Sequence, residues 1–225
     1  MKTKSYKILF STLCIMAICS FVLGQANTQN EDVSKLSKEI DTQLENRAKI
    51  IKSCMDRFST PLDMSSGDEQ KIMAAYQEQG KALITLGKLR AAEAAPLLAD
   101  MIGYNISGDE SSNPTFVDRM FGCVPTLARI GKPGAVACMK RIVNLTEKDW
   151  ENDMNVTLLT LVIVRVEGEK MTRVIFDDFK SSLKDEKQIK NIERTMPYID
   201  AARDLDGFAR DSFTMLKNEL INAEQ

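Results

Sequence analysis

The chain has 225 residues, of which 44% are hydrophobic, enough for one ample core or two small ones. Its formal net charge is −2 and no basic stripe runs along it, which argues against nucleic acid as a partner. The chain contains no histidine, so catalysis by a side-chain imidazole and zinc sites with histidine ligands are excluded.

The first 24 residues have the pattern of a secretory signal peptide. Three lysines precede an apolar run from Ile8 to Leu23, and Gly24 is small enough for a cleavage position. An uncleaved membrane anchor is the alternative, but the run is short for a full span. A lipoprotein signal at Cys19 is a third interpretation, although Ile18 is bulky there. We predict cleavage near Gly24, a periplasmic or extracellular location, and no stable membrane span afterwards.

Export would leave three cysteines in the mature chain, Cys54, Cys123 and Cys138. In an oxidising compartment one pair could close, and Cys123 and Cys138 flank a glycine-containing turn at 131–134. Two adjacent antiparallel helices could therefore bring these two thiols together. The alternative, which we favour, is that all three are small buried apolar side chains. No Cys-x-x-Cys motif supports a redox site or a zinc knuckle.

A long amphipathic helix is predicted after a flexible polar leader at 25–30. Its apolar residues recur at three- and four-residue steps, with charged residues on the other face. They are Val33, Leu36, Ile40, Leu44, Ile51, Met55 and Phe58. Pro61 and a small polar cluster then interrupt the pattern. We predict that residues 31–66 form an N-terminal capping helix and loop.

Two helix pairs are predicted next. The spacing of Ser66 and Glu69 is that of a capping box, and Gly87 is a candidate C-cap, so the first helix lies between them. Its partner runs over about 92–102. The second pair begins at Asn113, with Pro125 expected to kink its first helix, and returns over about 135–145.

The segment at 156–166, VTLLTLVIVRV, is ambiguous between a strand and a helix. Its β-branched residues favour a strand, but no second run of this kind exists in the mature chain to pair with it. We therefore predict a fully buried helix. After Gly168 a helix should face the core with Met171, Val174, Ile175, Phe179 and Leu183. Charged helices follow over about 185–204, past Pro197, and over 207–221.

The same pattern occurs twice, at 82–102 and at 126–143. Each copy has an apolar helical run, then Leu-Gly-Lys or Ile-Gly-Lys, then a helix rich in small residues that ends in bulky apolar ones. Gly87 and Gly131 lie 44 residues apart, and Gly168 follows after 37. Periods near 40 residues with two helices each are typical of α-solenoids.

These turns and helices resemble HEAT repeats, especially the short bacterial HEAT-like kind, over about residues 74–183. The resemblance implies an all-α fold, a short α-solenoid of stacked antiparallel helix pairs. We expect one HEAT-like domain at 31–225, with repeats at 67–183 and C-terminal helices at 184–225. An irregular helical bundle with one duplicated hairpin is the alternative.

No catalytic, cofactor or metal site is predicted. Asp177 and Asp178 are neighbours on a helix and point to different faces, so they make a poor acid–base pair. Asp200, Asp204 and Asp206 lack a calcium-loop pattern and are better explained as helix-end charges. Trp150, the only tryptophan, could anchor a partner or lie in a core between repeats.

We therefore expect a secreted or periplasmic module that binds another protein, with no enzymatic activity and no cofactor. Two other functions stay open. The chain could be a structural or accessory part of a cell-envelope assembly, or an enzyme that uses carboxylates or lysines. A concave apolar patch would favour protein binding, whereas a deep pocket with convergent carboxylates would favour an enzyme.

Overall fold

The computed structural model describes residues 35–62, 68–106 and 116–207. The chain divides into two compact units, Met1–Ile50 and Ile51–Gln225. Throughout the described ranges every regular element is helical and none is a strand, which confirms the all-α prediction. None of these helices combines the length and the apolar character that a membrane span needs. The predicted signal peptide, the leader and the helix at 208–221 lie outside the described residues.

Helix α1 covers residues 35–59, so the boundary between the two units falls within it. In the first unit the predicted amphipathic spacing is present, but Leu36, Ile40 and Leu44 are 48–58% exposed. In the second unit the same helix contributes Ile51 and Phe58 to the core, where both are buried.

The remaining helices belong to the second unit. They are α2 (Glu69–Lys88), α3 (Ala95–Asp100), α4 (Phe116–Met120), α5 (Cys123–Ile130), α6 (Lys132–Val143), α7 (Asp153–Glu167), α8 (Glu169–Ser182), α9 (Glu186–Thr195) and α10 (198–207). Single turns of 3₁₀ helix at Ala92–Ala94 and Asp149–Glu151 precede α3 and α7.

The two ends of α2 differ from the sequence prediction. Asp68 is the N-cap, because its carboxylate accepts the backbone N–H of Lys71 at 3.1 Å. At the other end Gly87 is still helical, and Arg90 adopts the left-handed backbone, with φ of 47°. A Cβ at Gly87 would lie 3.6 Å from the Cα of Thr126 on α5, which is an ordinary van der Waals contact, so the packing of α2 on α5 does not require glycine there.

Gly131 and Gly168 each join two helices without an intervening loop. Gly131 ends α5 and begins α6, and Gly168 does the same for α7 and α8. Both have φ of 83°, a backbone conformation that glycine adopts at little cost. Both junctions lie where the turns were predicted, but the first is shorter than the predicted 131–134, because α6 already begins at Lys132.

Pro125 breaks its predicted helix rather than kinking it. Proline lacks an N–H, and its ring collides with the carbonyl four residues earlier, which here belongs to Phe121. Helix α4 accordingly ends at Met120, and α5 begins at Cys123 with Pro125 in its first turn. Pro197 acts in the same way: α9 ends at Thr195 and a turn at 196–197 precedes α10.

Helix α7 lies at the centre of the second unit and confirms the helical interpretation of residues 156–166. It packs against α5, α6 and α8, and the six consecutive residues 158–163 are all buried, as is Val156. Leu158, Leu159, Leu161 and Ile163 are at most 1% exposed. Burying each of these side chains stabilises the fold by about 1.5–3 kcal/mol.

The helices pack in a regular order as far as α7. Helix α2 lies against α5, α5 against α7, and α3 against α6, while α6 also packs on α7. The order then changes, because α8 packs on α7 and α9, and it is α9 that lies against α6.

The predicted core face of α8 is therefore wrong in part. Met171 and Val174 are 50% and 51% exposed, whereas Thr172 and Phe176 are fully buried. The helix meets the core along the Thr172–Phe176 line, because it lies at the edge of the unit. Met171 and Val174 therefore face away from the core, whereas Ile175, Phe179 and Leu183 pack against it as predicted.

A buried ion triad joins three distant parts of the second unit. The guanidinium of Arg165 on α7 donates to Asp118 on α4 at 2.6 Å and to Asp206 on α10 at 2.7 Å. The three side chains are only 11–14% exposed. Burial would lower the pKa of Arg165, but the two carboxylates outweigh it and raise that pKa.

Candidate functional site: the groove between α6 and α8

An apolar groove of about 240 Å³ opens between α6 and α8, with α7 as its floor. We call it the α6–α8 groove. Its lining is Ala135, Val136, Met139 and Lys140 from α6, Ile163 and Glu167 from α7, and Ile175 and Phe179 from α8. The groove exists because α9, not α8, packs on α6.

Exposed apolar side chains continue the groove on both walls. Val136 is 52% exposed on α6, and Met171 and Val174 are equally exposed on α8. Isolated exposed apolar residues are ordinary, but a contiguous apolar concavity marks a binding surface on many proteins. This site was not predicted. Ile175 and Phe179 have the helical spacing of core residues, and that spacing does not distinguish a covered helix face from an open one.

The two walls carry charges of opposite sign. On α6, Lys132 and Lys140 flank Val136 at four-residue steps, and both are exposed. On α8, Asp178 follows Val174 at the same spacing and is also exposed. Within the described part of the chain none of these three side chains has an ion-pair partner. The lining itself is apolar except for Lys140 on α6 and Glu167 on α7, and Lys132 on α6 and Asp178 on α8 lie outside it.

Trp150 lies in a self-contained cluster instead of on an open face. Its indole is 9% exposed and donates its N–H to the Asn191 Oδ1 at 3.3 Å. The Asn191 amide in turn donates to the carbonyls of Val143 and Leu145. The guanidinium of Arg194 covers the indole ring at 4.1 Å from its centroid, a cation–π contact. Partner binding by Trp150 stays a prediction. Its indole N–H is already bonded to Asn191 and is not available to a partner.

Cys54, Cys123 and Cys138 are free thiols. Cys123 and Cys138 are fully buried, and the Cys123 thiol contacts the carbonyl oxygen of Met101 at 3.4 Å. Burial raises the pKa of Cys123 to about 12 and, together with the neighbouring Cys123, that of Cys138 further. Both thiols therefore stay protonated and poorly reactive in the folded chain. Oxidation to a disulfide between them stays a prediction.

The carboxylates near the C-terminal end of the described chain form ion pairs. Asp200 accepts from Arg173 at 2.6 Å and lies 3.3 Å from Arg203, which also binds Asp204. Asp206 belongs to the Arg165 triad. Among the described residues no group of three potential metal ligands is placed to hold an ion. Ion pairs with arginines hold all three aspartates, and their interpretation as helix-end charges stays a prediction.

Asp149 has the most strongly lowered carboxyl pKa in this part of the fold. Burial would raise that pKa, but hydrogen bonds from Arg141 and from the N–H and hydroxyl of Thr146 lower it to about 2. The pKa of an aspartate carboxyl group in the unfolded chain is about 3.9, so folding favours the charged form of Asp149. The resulting stabilisation is present above about pH 4 and is lost as the pH falls towards 2.

Asp149→Asn should therefore lower the free energy of unfolding by about 1–2 kcal/mol at pH 7. The difference from the parent chain should shrink steadily below pH 4 and be small at pH 2. Urea denaturation followed by circular dichroism at several pH values measures both effects. Asp177→Asn is the matched control, since Asp177 is exposed, and it should change stability by less than about 0.5 kcal/mol. A loss that is the same at pH 2 and pH 7 would contradict the argument.

Comparison with known proteins identifies no relative: no family model matches the chain, and no curated protein or solved structure shows significant similarity to it.

Proposed function

We propose that the chain is an exported, HEAT-like protein-binding module whose α6–α8 groove receives an amphipathic helix of another protein. The observation that carries the proposal is the groove itself, whose apolar lining includes Lys140 from α6 and Glu167 from α7, with Lys132 and Asp178 further along the walls. Amphipathic helices bind in such grooves by burying one apolar stripe, while flanking charges set their orientation.

The charges on the two walls specify the chemistry of the partner helix. Lys132 and Lys140 are eight residues apart, which is about 12 Å along α6. The partner helix should therefore carry acidic residues about two turns apart on the side that faces α6. On the side that faces α8 it should carry a basic residue for Asp178. Between these two edges its stripe should consist of apolar residues at three- and four-residue steps.

The HEAT-like part of the proposal rests on the packing order of the helices. First helices of successive pairs, α2, α5 and α7, are neighbours, and so are the second helices α3 and α6. This order is what stacked helical hairpins require, since each pair covers the apolar face of the next. The junctions at Gly131 and Gly168 give the second and third pairs the same helix–glycine–helix order, although α6 packs on α9 and not on α8.

The export part rests on the sequence of residues 1–24, with its basic start and short apolar run. Mass spectrometry of the protein recovered from its natural cells tests it. Residues 1–24 should be missing, and an intact N-terminus would contradict export by this route.

Site-specific photocrosslinking tests the groove. A photoreactive amino acid at Val136 should capture a partner in the natural cells, and the captured segment should be an amphipathic helix with the charges described above. The matched control is the same amino acid at Met73 on α2, which is 58% exposed against 52% for Val136. Equal capture at Met73, or a captured segment without an apolar stripe, would refute the proposal.

A synthetic peptide of the captured segment then tests the charge edges by fluorescence anisotropy. Lys140→Glu should weaken its binding about five- to tenfold, because an attraction at the rim becomes a repulsion. Exchanging the facing acidic residue of the peptide for lysine should restore most of the loss. An unchanged affinity in both cases would show that α6 does not form the binding edge.

A further inference from the structure

Gln79 on α2 has a buried hydrogen-bond acceptor without a donor. Its side chain is 3% exposed, and its Nε2 donates to the carbonyl oxygens of Thr60 at 2.6 Å and Phe58 at 3.3 Å. Within the described ranges its Oε1 has no hydrogen-bond partner. Exchanging the two ends of the amide would point the oxygen at two carbonyls, so the hydrogen bonds fix its orientation.

An unsatisfied acceptor of this kind has a thermodynamic cost. Leaving a buried polar atom unpaired costs about 1–3 kcal/mol, and nearly all buried polar groups in folded proteins have a partner. The oxygen of Gln79 is therefore a position where a donor from outside the chain would be bound favourably.

Gln79 also lines an open hollow next to the end of α1. Two adjoining hollows of about 360 and 430 Å³ share Thr60, Pro61 and Leu62 as a common wall. Ala75 and Gln79 line the first. The second is lined mainly by apolar and aromatic side chains, among them Phe58, Tyr76, Met101 and Tyr104. We call the two hollows together the Gln79 cleft.

Polar groups in the Gln79 cleft are few and close together. Burial raises the pKa of Tyr104, and so does the nearby Tyr76. A side-chain hydrogen bond with Gln79 lowers that pKa, so the three side chains are neighbours. The charged residues at the rim, Arg57 and Glu78, pair with each other at 2.6 Å. An apolar cleft with a few convergent polar groups is the usual form of a small-molecule site.

We propose that the Gln79 cleft binds a neutral small molecule that has a ring-sized apolar body and one N–H or O–H donor, which is directed at the Oε1 of Gln79. The ligand is neutral because the charged residues described at the rim are already paired: Glu78 binds Arg57 and also Lys81, the latter at 2.9 Å. It is a donor because the amide oxygen can only accept. The site is separate from the α6–α8 groove and does not depend on the proposed function of that groove.

Indole and 1-methylindole form a matched pair of probes, because methylation removes only the N–H donor. In calorimetric titrations of the full chain, indole should bind about tenfold more tightly than 1-methylindole, since one hydrogen bond to a buried acceptor is lost. The side-chain amide resonances of Gln79 should shift with indole in nitrogen-edited NMR spectra. Equal affinities, no binding of either probe, or unshifted Gln79 resonances would overturn the proposal.

Two tryptophan substitutions separate binding in the cleft from binding elsewhere. Ala75→Trp should fill the first hollow and reduce indole binding at least tenfold, with the circular dichroism spectrum unchanged. Ala74→Trp places the same side chain on an exposed position of α2 and should leave the affinity unchanged. Equal effects of both substitutions would refute the site. A crystal structure with indole in which only a water molecule contacts the Gln79 Oε1 would refute it as well.

Discussion

Replacing Arg165 with methionine should lower the free energy of unfolding by about 3–5 kcal/mol, the largest effect expected of any single charge in the chain. The change would leave Asp118 and Asp206 in a buried position without their guanidinium partner, and both side chains are less than 15% exposed. Because the triad joins α4, α7 and α10, its loss should also loosen the α10 attachment. Urea denaturation followed by circular dichroism measures the difference.

Arg203→Met is the matched control for this experiment. Arg203 also contacts aspartates, Asp200 and Asp204, but it is 51% exposed, so its removal should cost less than about 1 kcal/mol. Arg165→Lys should lie between the two, since lysine keeps the charge but cannot reach both carboxylates with a planar fork. Similar losses for Arg165→Met and Arg203→Met would show that burial of the triad contributes nothing.

Gly134→Ala should be the second most harmful of these substitutions, lowering the free energy of unfolding by about 1–3 kcal/mol. A Cβ at this position of α6 would overlap the carbonyl oxygen of Leu127 and lie 3.0 Å from its carbonyl carbon. Both contacts are to the backbone of α5, which cannot rotate away, so the α5–α6 hairpin would have to open. Thermal and urea unfolding of the variant measure this loss.

Gly207→Ala is the corresponding control, because nothing lies within 4 Å of a Cβ at that helical position. Alanine favours a helix over glycine by about 1 kcal/mol, so this variant should be neutral or slightly more stable. Gly134→Ala has the same intrinsic advantage and should nevertheless destabilise the chain. If both variants gained stability, the close approach of α5 and α6 would be disproved.

Local sequence signals predicted the helices of the second unit well. The absence of a pairing partner correctly made residues 156–166 a helix, and glycine marked the junctions at 131 and 168. The predicted helix ends were wrong where two nearby residues could each serve as the N-cap or as the left-handed residue that ends the helix. Asp68 lies next to the helix that Ser66 was expected to cap, and Arg90 takes the left-handed conformation expected of Gly87.

Long-range packing left no comparable trace in the sequence. Spacing predicted that Met171 and Val174 share a helix face, but it could not show whether another helix covers that face. The groove arises from the choice of α9 as the neighbour of α6, a contact between residues far apart in the chain. The Arg165 triad is similar, because its members are 41 and 47 residues apart and each alone looks like an ordinary surface charge.

The position of α9 against α6 has a consequence for how the molecule ends. A row of helix pairs normally offers its last flank to another pair, and a row left open in this way can grow by adding copies of itself. Here α9 covers that flank. The side-chain amide of Asn191 on α9 donates hydrogen bonds to the carbonyl oxygens of Val143 and Leu145. In the proposed stack of helix pairs, α9 therefore occupies the side of α6 on which a further pair would have to pack.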